Sequence, residues 1–336
     1  MPRPRSTSHI ALVLLLTGAF LALGEESPPA SPVALVIHGG AGNLEPESLD
    51  PETEALYRVA LTAALTRGHQ RLSEGAGSVD VVESVIRELE DEPLFNAGRG
   101  AVFTAEGRNE LDASIMDGAT TKAGAVAGVT RVRHPISAAR AVMERTPHVL
   151  LAGPGADRFA AGNGLELVDP SFFRTERRWE ALERVRRRES GGAGGGGGHF
   201  GTVGAVALDQ AGRIAAGTST GGMTNKRHGR VGDSPIIGAG TYANQRCGVS
   251  GTGHGEFFIR FAVAFDICAR LRDPSQTIRS AAEAVVLGTL VEAGGDGGII
   301  ALDADGMPAL VFNTTAMYRG WALADGEPQV AIFQDN

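Results

Sequence analysis

Cysteine is nearly absent from this chain, with only Cys247 and Cys268 in 336 residues. Two thiols exclude the disulfide framework that holds many small secreted domains together. They lack metal-ligand spacing. Cys268 lies on a strongly apolar helical stretch and reads as a buried, inert thiol, although an oxidising compartment would let the pair bond. Nothing indicates a catalytic cysteine. An excess of positive charge is missing as well. With 31 Lys and Arg against 39 Asp and Glu, the net charge is -8, which argues against a nucleic-acid partner. There is no Gly-x-Ser-x-Gly elbow, no His-Glu-x-x-His and no phosphate loop, and the eight histidines are scattered without metal spacing. No catalytic metal or cofactor is expected. A hydrolase built on this chain must activate its nucleophile by another route.

Apolar residues make up 43% of the chain, enough for a large buried core. Residues 1–24 read as a secretory signal. Arg3 and Arg5 supply the basic start, Ile10 to Leu23 is uncharged and apolar, and Ala22-Leu23-Gly24 offers small residues for a signal peptidase. A permanent membrane helix needs about 20 apolar residues, more than this run provides. The mature protein is expected to be secreted or periplasmic, without membrane association once the signal is removed.

Val33 to Ile37 is an apolar run expected to form a buried strand, ending in a tight turn at His38-Gly39-Gly40-Ala41-Gly42. Helices are expected from Glu54 to Ser73, from a cap at Ser78, and from His134-Pro135. From Arg174 to Ser190 the chain is dense in charge, with Arg184, Arg186, Arg187 and Arg188 close together. Gly191 to Gly198 then holds seven glycines and one alanine. Residues 174–200 read as a flexible, solvated linker. Beyond it, Thr202 to Leu208 and Arg213 to Gly217 flank a hairpin turn, and Gly298 to Leu302 and Ala309 to Asn313 repeat the pattern. Between the hairpins lie two helical stretches, Glu256 to Arg272 and Thr277 to Val291. Strands, helices, then strands in each half suggest helices packed outside stacked sheets.

The residues around Gly201-Thr202 suggest how a nucleophile could be activated. A threonine hydroxyl attacks only when a base takes its proton. Were the bond before Thr202 cut, the new α-amino group, with a pKa of about 7.7–8.0, would lie on the same residue as the hydroxyl and could serve as that base. Gly201, lacking a Cβ, suits the strained geometry in which the hydroxyl attacks its preceding carbonyl.

The specificity comes from several ordered motifs. These are Ile37-His38-Gly39-Gly40-Ala41-Gly42, Phe95-Asn96-Ala97-Gly98 with Leu111-Asp112-Ala113, Gly201 to Asp209, and Thr218-Ser219-Thr220-Gly221-Gly222. Gly229-Arg230-Val231-Gly232-Asp233-Ser234-Pro235 and Thr252-Gly253-His254-Gly255-Glu256 complete the set. Together they resemble the plant-type L-asparaginase and isoaspartyl peptidase family, threonine-type N-terminal-nucleophile hydrolases, over essentially the whole chain after the signal. The resemblance implies an α+β fold, a four-layer αββα sandwich forming one domain. It implies self-cleavage into an α chain (25–201) and a β chain (202–336) that stay together as a heterodimer and pair as (αβ)2.

Site roles follow from the resemblance, residue by residue. Cleavage falls between Gly201 and Thr202, Thr202 is the nucleophile, and Thr220 orients it. Arg230 and Asp233 resemble a clamp for the α-carboxylate and α-ammonium of a free amino-acid head group, a task for which a planar guanidinium and a carboxylate are suited. Thr252 and Gly253 resemble the oxyanion hole, where a Gly-rich turn enters a helix at about Glu256, and His254 and Gly255 complete the substrate-binding set. His254 stands where other members carry threonine or a different residue, which bears on fine substrate preference. Asn96 matches a position close to the active site, and the backbone from Leu89 to Arg99 resembles a sodium-holding loop of bacterial members. The expected substrates are small molecules, L-asparagine and β-aspartyl dipeptides. A glycosylasparaginase, which acts on N4-(β-N-acetylglucosaminyl)-L-asparagine, is the related alternative. A non-processed amino-acid-binding homologue is the non-enzymatic one.

Overall fold

The computed structural model describes residues 32–191, 201–324 and 326–334, together with Met1. The expected leader beyond Met1 and the glycine tract from residue 192 lie outside these ranges. The first half contains β1 (Ala34–Gly42), α1 (Pro51–Ser73), α2 (Ser78–Asp91), β2 (Leu111–Asp117), β3 (Ala123–Val129), α3 (Pro135–Arg145), β4 (Leu150–Ala152), α4 (Gly153–Gly162) and α5 (Glu176–Ser190). The second half contains β5 (Val203–Leu208), β6 (Ile214–Thr220), β7 (Thr241–Ala243), β8 (Cys247–Gly253), α6 (Gly255–Phe261), α7 (Val263–Arg270) and α8 (Ile278–Glu283). A π-helical turn, α9 (Leu290–Ala293), β9 (Gly297–Asp303), β10 (Pro308–Phe312), β11 (Ala316–Ala322) and β12 (Gln329–Phe333) follow.

The strands form two sheets, one of eight strands in the order β12-β11-β1-β5-β6-β2-β3-β4 and one of four in the order β10-β9-β8-β7. Strand alternation explains how both sheets are covered. Leu35 and Ile37 of β1 point toward α1 and α2, where they meet Leu61, Leu65, Val81 and Val85. Their neighbours Ala34 and Val36 point the other way, into a core shared with Val206, Leu208, Ile300 and Leu302. The smaller sheet buries its outer face, including Val249 and Ile299, under Val263, Ile267, Ile278 and Val286. The fold is therefore mixed α+β, with two sheets face to face and helices against their outer faces. No helix among the described residues is long and apolar enough to cross a membrane.

Several local expectations are corrected. β1 does not stop at a turn after Ile37. It continues to Gly42 through a bulge between His38 and Gly40, where Gly40 adopts a φ of 115° that favours glycine. α1 begins at Pro51, ahead of Glu54, because the Asp50 side chain accepts from the Thr53 N–H. Ser78 is the first helical residue of α2 and not its cap. Its N–H donates at 2.9 Å to Asp209, 131 residues away, a partner no local reading could supply. Each long helix expected in the second half is interrupted, one by Ala262 in the left-handed region and the other by π-helical residues Ala284–Thr289.

The arginine-rich run is the largest correction, since most of it is the ordered helix α5. Arg178 donates to the carbonyls of Gly100 and Leu94, at 2.7 and 3.1 Å, and Arg177 to the Tyr57 hydroxyl at 2.7 Å. Leu182 is buried, and Trp179 packs edge-on against Phe103. Two apolar residues three positions apart give the helix a stripe to dock with, which a count of charges conceals. The cysteines are corrected as well. Cys247 and Cys268 form a disulfide joining β8 to α7, with Cα atoms 5.8 Å apart, so neither is a free thiol.

Candidate active site

Thr202 immediately precedes β5. By strand alternation its side chain lies on the same side as Val206 and Leu208, which face the second sheet. Its hydroxyl donates to Thr220 Oγ1 at 3.0 Å. Thr220, the last residue of the neighbouring β6, donates in turn to the Gly201 carbonyl at 3.3 Å and accepts from the Gly222 N–H at 3.0 Å. Both threonines are buried. One hydroxyl thus receives a bond from the candidate nucleophile while donating to the carbonyl at the candidate scissile bond. Asn96 packs beside them, and a Cβ on Gly201 would come within 2.7 Å of its Cβ. Its amide donates to Gly222 O at 2.8 Å, and its Oδ1 accepts from the Val102 N–H, so it steadies the turn after Thr220.

Beneath Thr202 lies a polar group that sequence reasoning left without a role. His38 Nδ1 is 2.9 Å from the Thr202 carbonyl and Nε2 is 3.0 Å from Ser250 Oγ. Burial lowers the imidazole pKa from 6.5 to about 3, so the ring is neutral at ordinary pH. A histidine ending an apolar strand run was the one available sign of a buried polar task.

Gly222 connects this centre to the expected clamp. A Cβ there would lie 3.6 Å from Arg230 Nη1. Arg230 uses Nε and Nη2 to grip Glu256, each bond 2.9 Å long, leaving the Nη1 end of its fork for a second carboxylate. That bond holds the Glu256 carboxyl below its ordinary range. Glu256, which the sequence marks as a helix start at the end of a family motif, links Arg230 to His254, whose Nε2 lies 3.4 Å from its carboxylate. Asp233 is buried, and burial raises its pKa to about 7 against the opposing pull of Arg230. Its Oδ2 has no hydrogen-bond partner. Oδ2 is turned toward Gly240, where a Cβ would come within 2.7 Å of it, so Oδ1, on the Gly255 side, is the oxygen suited to receive an ammonium. Gly255 leaves the space between the two clamp residues, since a Cβ there would lie 2.8 Å from both Arg230 Nη2 and Asp233 Oδ1.

Thr252 lies two residues beyond Ser250 on β8 and is buried. Its Oγ1 accepts from the Ala41 N–H at 3.3 Å, leaving its own proton for another acceptor. Gly253 is packed so closely against Asp296 and Gly297 that a Cβ would clash with their backbone. The N–H of His254 is engaged with Asp296 O. Two cavities flank the centre. One of about 600 Å³ is bordered by Gly201, Asn96, Tyr57 and Arg178, and one of about 730 Å³ reaches Arg230. Among the described residues no group of three or more His, Cys, Asp or Glu side chains could hold a metal ion.

Known proteins share this chain nearly end to end. The profile of the asparaginase family matches residues 31–332. An isoaspartyl peptidase of Escherichia coli K12 is 48% identical over 308 residues, covering 90% of this chain and 96% of that protein. A putative isoaspartyl peptidase/L-asparaginase of Dictyostelium discoideum is 45% identical over 324 residues, covering 87% and 93%. A plant-type L-asparaginase of Pyrococcus abyssi is 42% identical over 310 residues, covering 89% and 100%.

Proposed function

The chain belongs to the asparaginase family, and from that premise we propose that it hydrolyses β-aspartyl dipeptides and the side-chain amide of L-asparagine through an N-terminal threonine. The observation that carries this reading is the pair of contacts joining Thr202 Oγ1, Thr220 Oγ1 and the Gly201 carbonyl, at 3.0 and 3.3 Å. In maturation Thr202 Oγ attacks the Gly201 carbonyl carbon and the peptide chain shifts from nitrogen to oxygen. Water then cleaves the ester, leaving an α chain ending at Gly201 and a β chain starting at Thr202. The two halves remain one αββα sandwich, an Ntn-hydrolase fold, and pair as (αβ)2.

In the mature enzyme the freed Thr202 amine takes the proton of its own hydroxyl. Arg230 receives the substrate α-carboxylate and Asp233 its α-ammonium, while His254 and Gly255 border the same pocket. The Thr202 oxygen attacks the β-carbonyl, and the Thr252 hydroxyl with the Gly253 N–H stabilises the oxyanion. The leaving nitrogen departs with the proton held by the Thr202 ammonium, as ammonia or an amino acid. Water, deprotonated by the same amine, hydrolyses the β-aspartyl ester and releases aspartate. No cofactor takes part in these steps. The loop from Leu89 to Arg99 would hold a structural sodium ion through its carbonyls. A Cβ on Gly98 or Gly100 would press directly on the carbonyl oxygens of Glu90 and Phe95, so both glycines keep that loop closed. The signal over residues 1–24 would direct the protein to the periplasm or outside the cell.

Denaturing electrophoresis with N-terminal sequencing tests the central step. The wild-type protein is expected to give two chains, one beginning at Thr202, and Thr202→Ala a single inactive chain. Processing of Thr202→Ala at the same bond, or full amidase activity in an uncut wild type, would defeat the assignment.

A further inference from the structure

The Thr202 carbonyl ends a buried hydrogen-bond chain that has a definite direction. A carbonyl only accepts, so His38 Nδ1, 2.9 Å away, must carry the proton. In a neutral imidazole Nε2 is then the acceptor, and Ser250 Oγ donates to it across 3.0 Å. With its proton so used, Ser250 accepts from Thr218 at 2.7 Å, and Thr218 accepts from Thr241 at 2.5 Å. The Gly240 carbonyl, 3.2 Å from Thr218, is the longer competitor for that hydroxyl. All four side chains are fully buried. The donors therefore point one way, from β7 through β6, β8 and β1 into the residue that precedes β5, an arrangement in which each bond strengthens the next.

A second observation shows that the meeting of His38 and Ser250 is built into the packing. Gly204 lies where any Cβ would collide with both Ser250 Oγ and His38 Nε2. The backbone ladder leaves Thr202 outside its register. The last β1–β5 pair is His38 with Gly204, and the β5–β6 pairing starts at Val203 with Ser219. Once cleavage makes Thr202 a chain terminus, such a residue frays unless something ties it down. We propose that His38 is a positioning residue that holds the Thr202 carbonyl, and with it the amine and hydroxyl of that residue, in attacking geometry, its tautomer set by Ser250, Thr218 and Thr241. This rests on the reading of Thr202 as the terminal nucleophile.

Two measurements on the full, matured protein test it. In histidine-labelled wild type, nitrogen NMR is expected to show His38 protonated on Nδ1 and bare on Nε2; the opposite tautomer overturns the proposal. In kinetics, His38→Gln keeps a group facing Ser250 but withdraws the donor from the carbonyl. It is expected to lose roughly 100-fold in kcat, as a misplacement of about 1 Å does, with KM little changed. His38→Asn can still donate from the Nδ1 position and is expected to recover to within about tenfold of wild type. A merely structural histidine would show no such rescue, and wild-type kcat in His38→Gln overturns the proposal. If these variants do not fold, Ser250→Ala answers the same question, with reduced kcat and mixed tautomers expected and unchanged kcat overturning it. Should Thr202→Ala retain full activity, both readings fall. Should Thr202→Ala be inactive while His38→Gln equals wild type, only the role of His38 falls.

Discussion

The space between the two sheets has two ends made by the same strands, and they differ in kind. At one end β1 contributes Ala34 and Val36, β5 contributes Leu208 and Val206, and β6 contributes Ile214 and Ala216, all packed together. Two to four residues along the same faces, these strands present His38, Thr202, Thr218 and Thr220, while β8 adds Ser250 and Thr252. The apolar end holds the sheets together by removing surface from water. The polar end is equally buried, but its hydroxyls bond to one another, to carbonyls, to the His38 ring or, for Thr252, to the Ala41 N–H. Thr202 Oγ1, the candidate nucleophile, lies at the edge of this group and is oriented by Thr220. The difference teaches that apolar packing and the candidate chemistry are divided along the strands and not between separate domains.

On this division the largest effect belongs at the polar end. Thr202→Ala should lower turnover by four or more orders of magnitude, roughly the loss seen when a nucleophile is removed, with little change in thermal midpoint. Ammonia release from L-asparagine and a thermal melt measure the two sides. Next comes substrate affinity below neutrality. Asp233, with its pKa raised to about 7, is protonated in the free protein below that value, yet must be ionised to receive an ammonium. The apparent KM for a β-aspartyl dipeptide should rise about tenfold for each pH unit below it, and a flat KM from pH 5 to 8 would remove Asp233 from the clamp.

At the apolar end Ile300→Ala should destabilise the protein by about 2–5 kcal/mol in urea unfolding while leaving kcat within about twofold. A large loss of kcat would blur the distinction between the ends. Acid stability gives a smaller and more selective signal. The His38 pKa falls from 6.5 to about 3 on folding, so between those values the unfolded chain binds a proton that the folded one does not. Stability carried by this residue should therefore decline as pH drops through that window. Glu90 and Asp112, whose pKa values burial raises, push in the opposite direction, so the signal is the wild-type curve minus that of His38→Asn. The smallest effect is expected outside both ends. Arg187→Ala on α5 removes an exposed ion pair with Glu183 and should change stability by under about 0.5 kcal/mol.

How much could be read in advance depended on the reach of the interaction. The two hairpins were legible because each is written in a few consecutive residues, whereas the roles given to Thr202, Arg230 and Asp233 came from the family motifs. The docking of α5 was not legible, because charge outnumbers the two apolar residues that seat it. The split of the two late helices escaped too, since neither Ala262 nor residues 284–289 include a proline to announce a break. The cap on α2 from Asp209 and the Cys247–Cys268 disulfide depend on partners distant in the chain.

By itself the sequence determined the alternation of apolar and small polar residues along the strands, and the family motifs that mark one threonine among many. Those are local patterns, set by the period of a strand and by the chemistry of single side chains. Only the tertiary structure decided that His38, Ser250, Thr218 and Thr241 form one directed chain ending on Thr202, and that Glu256 shares Arg230. Hydrogen bonds need their atoms within about 3 Å, and in this protein that proximity exists only where four strands from two sheets come together.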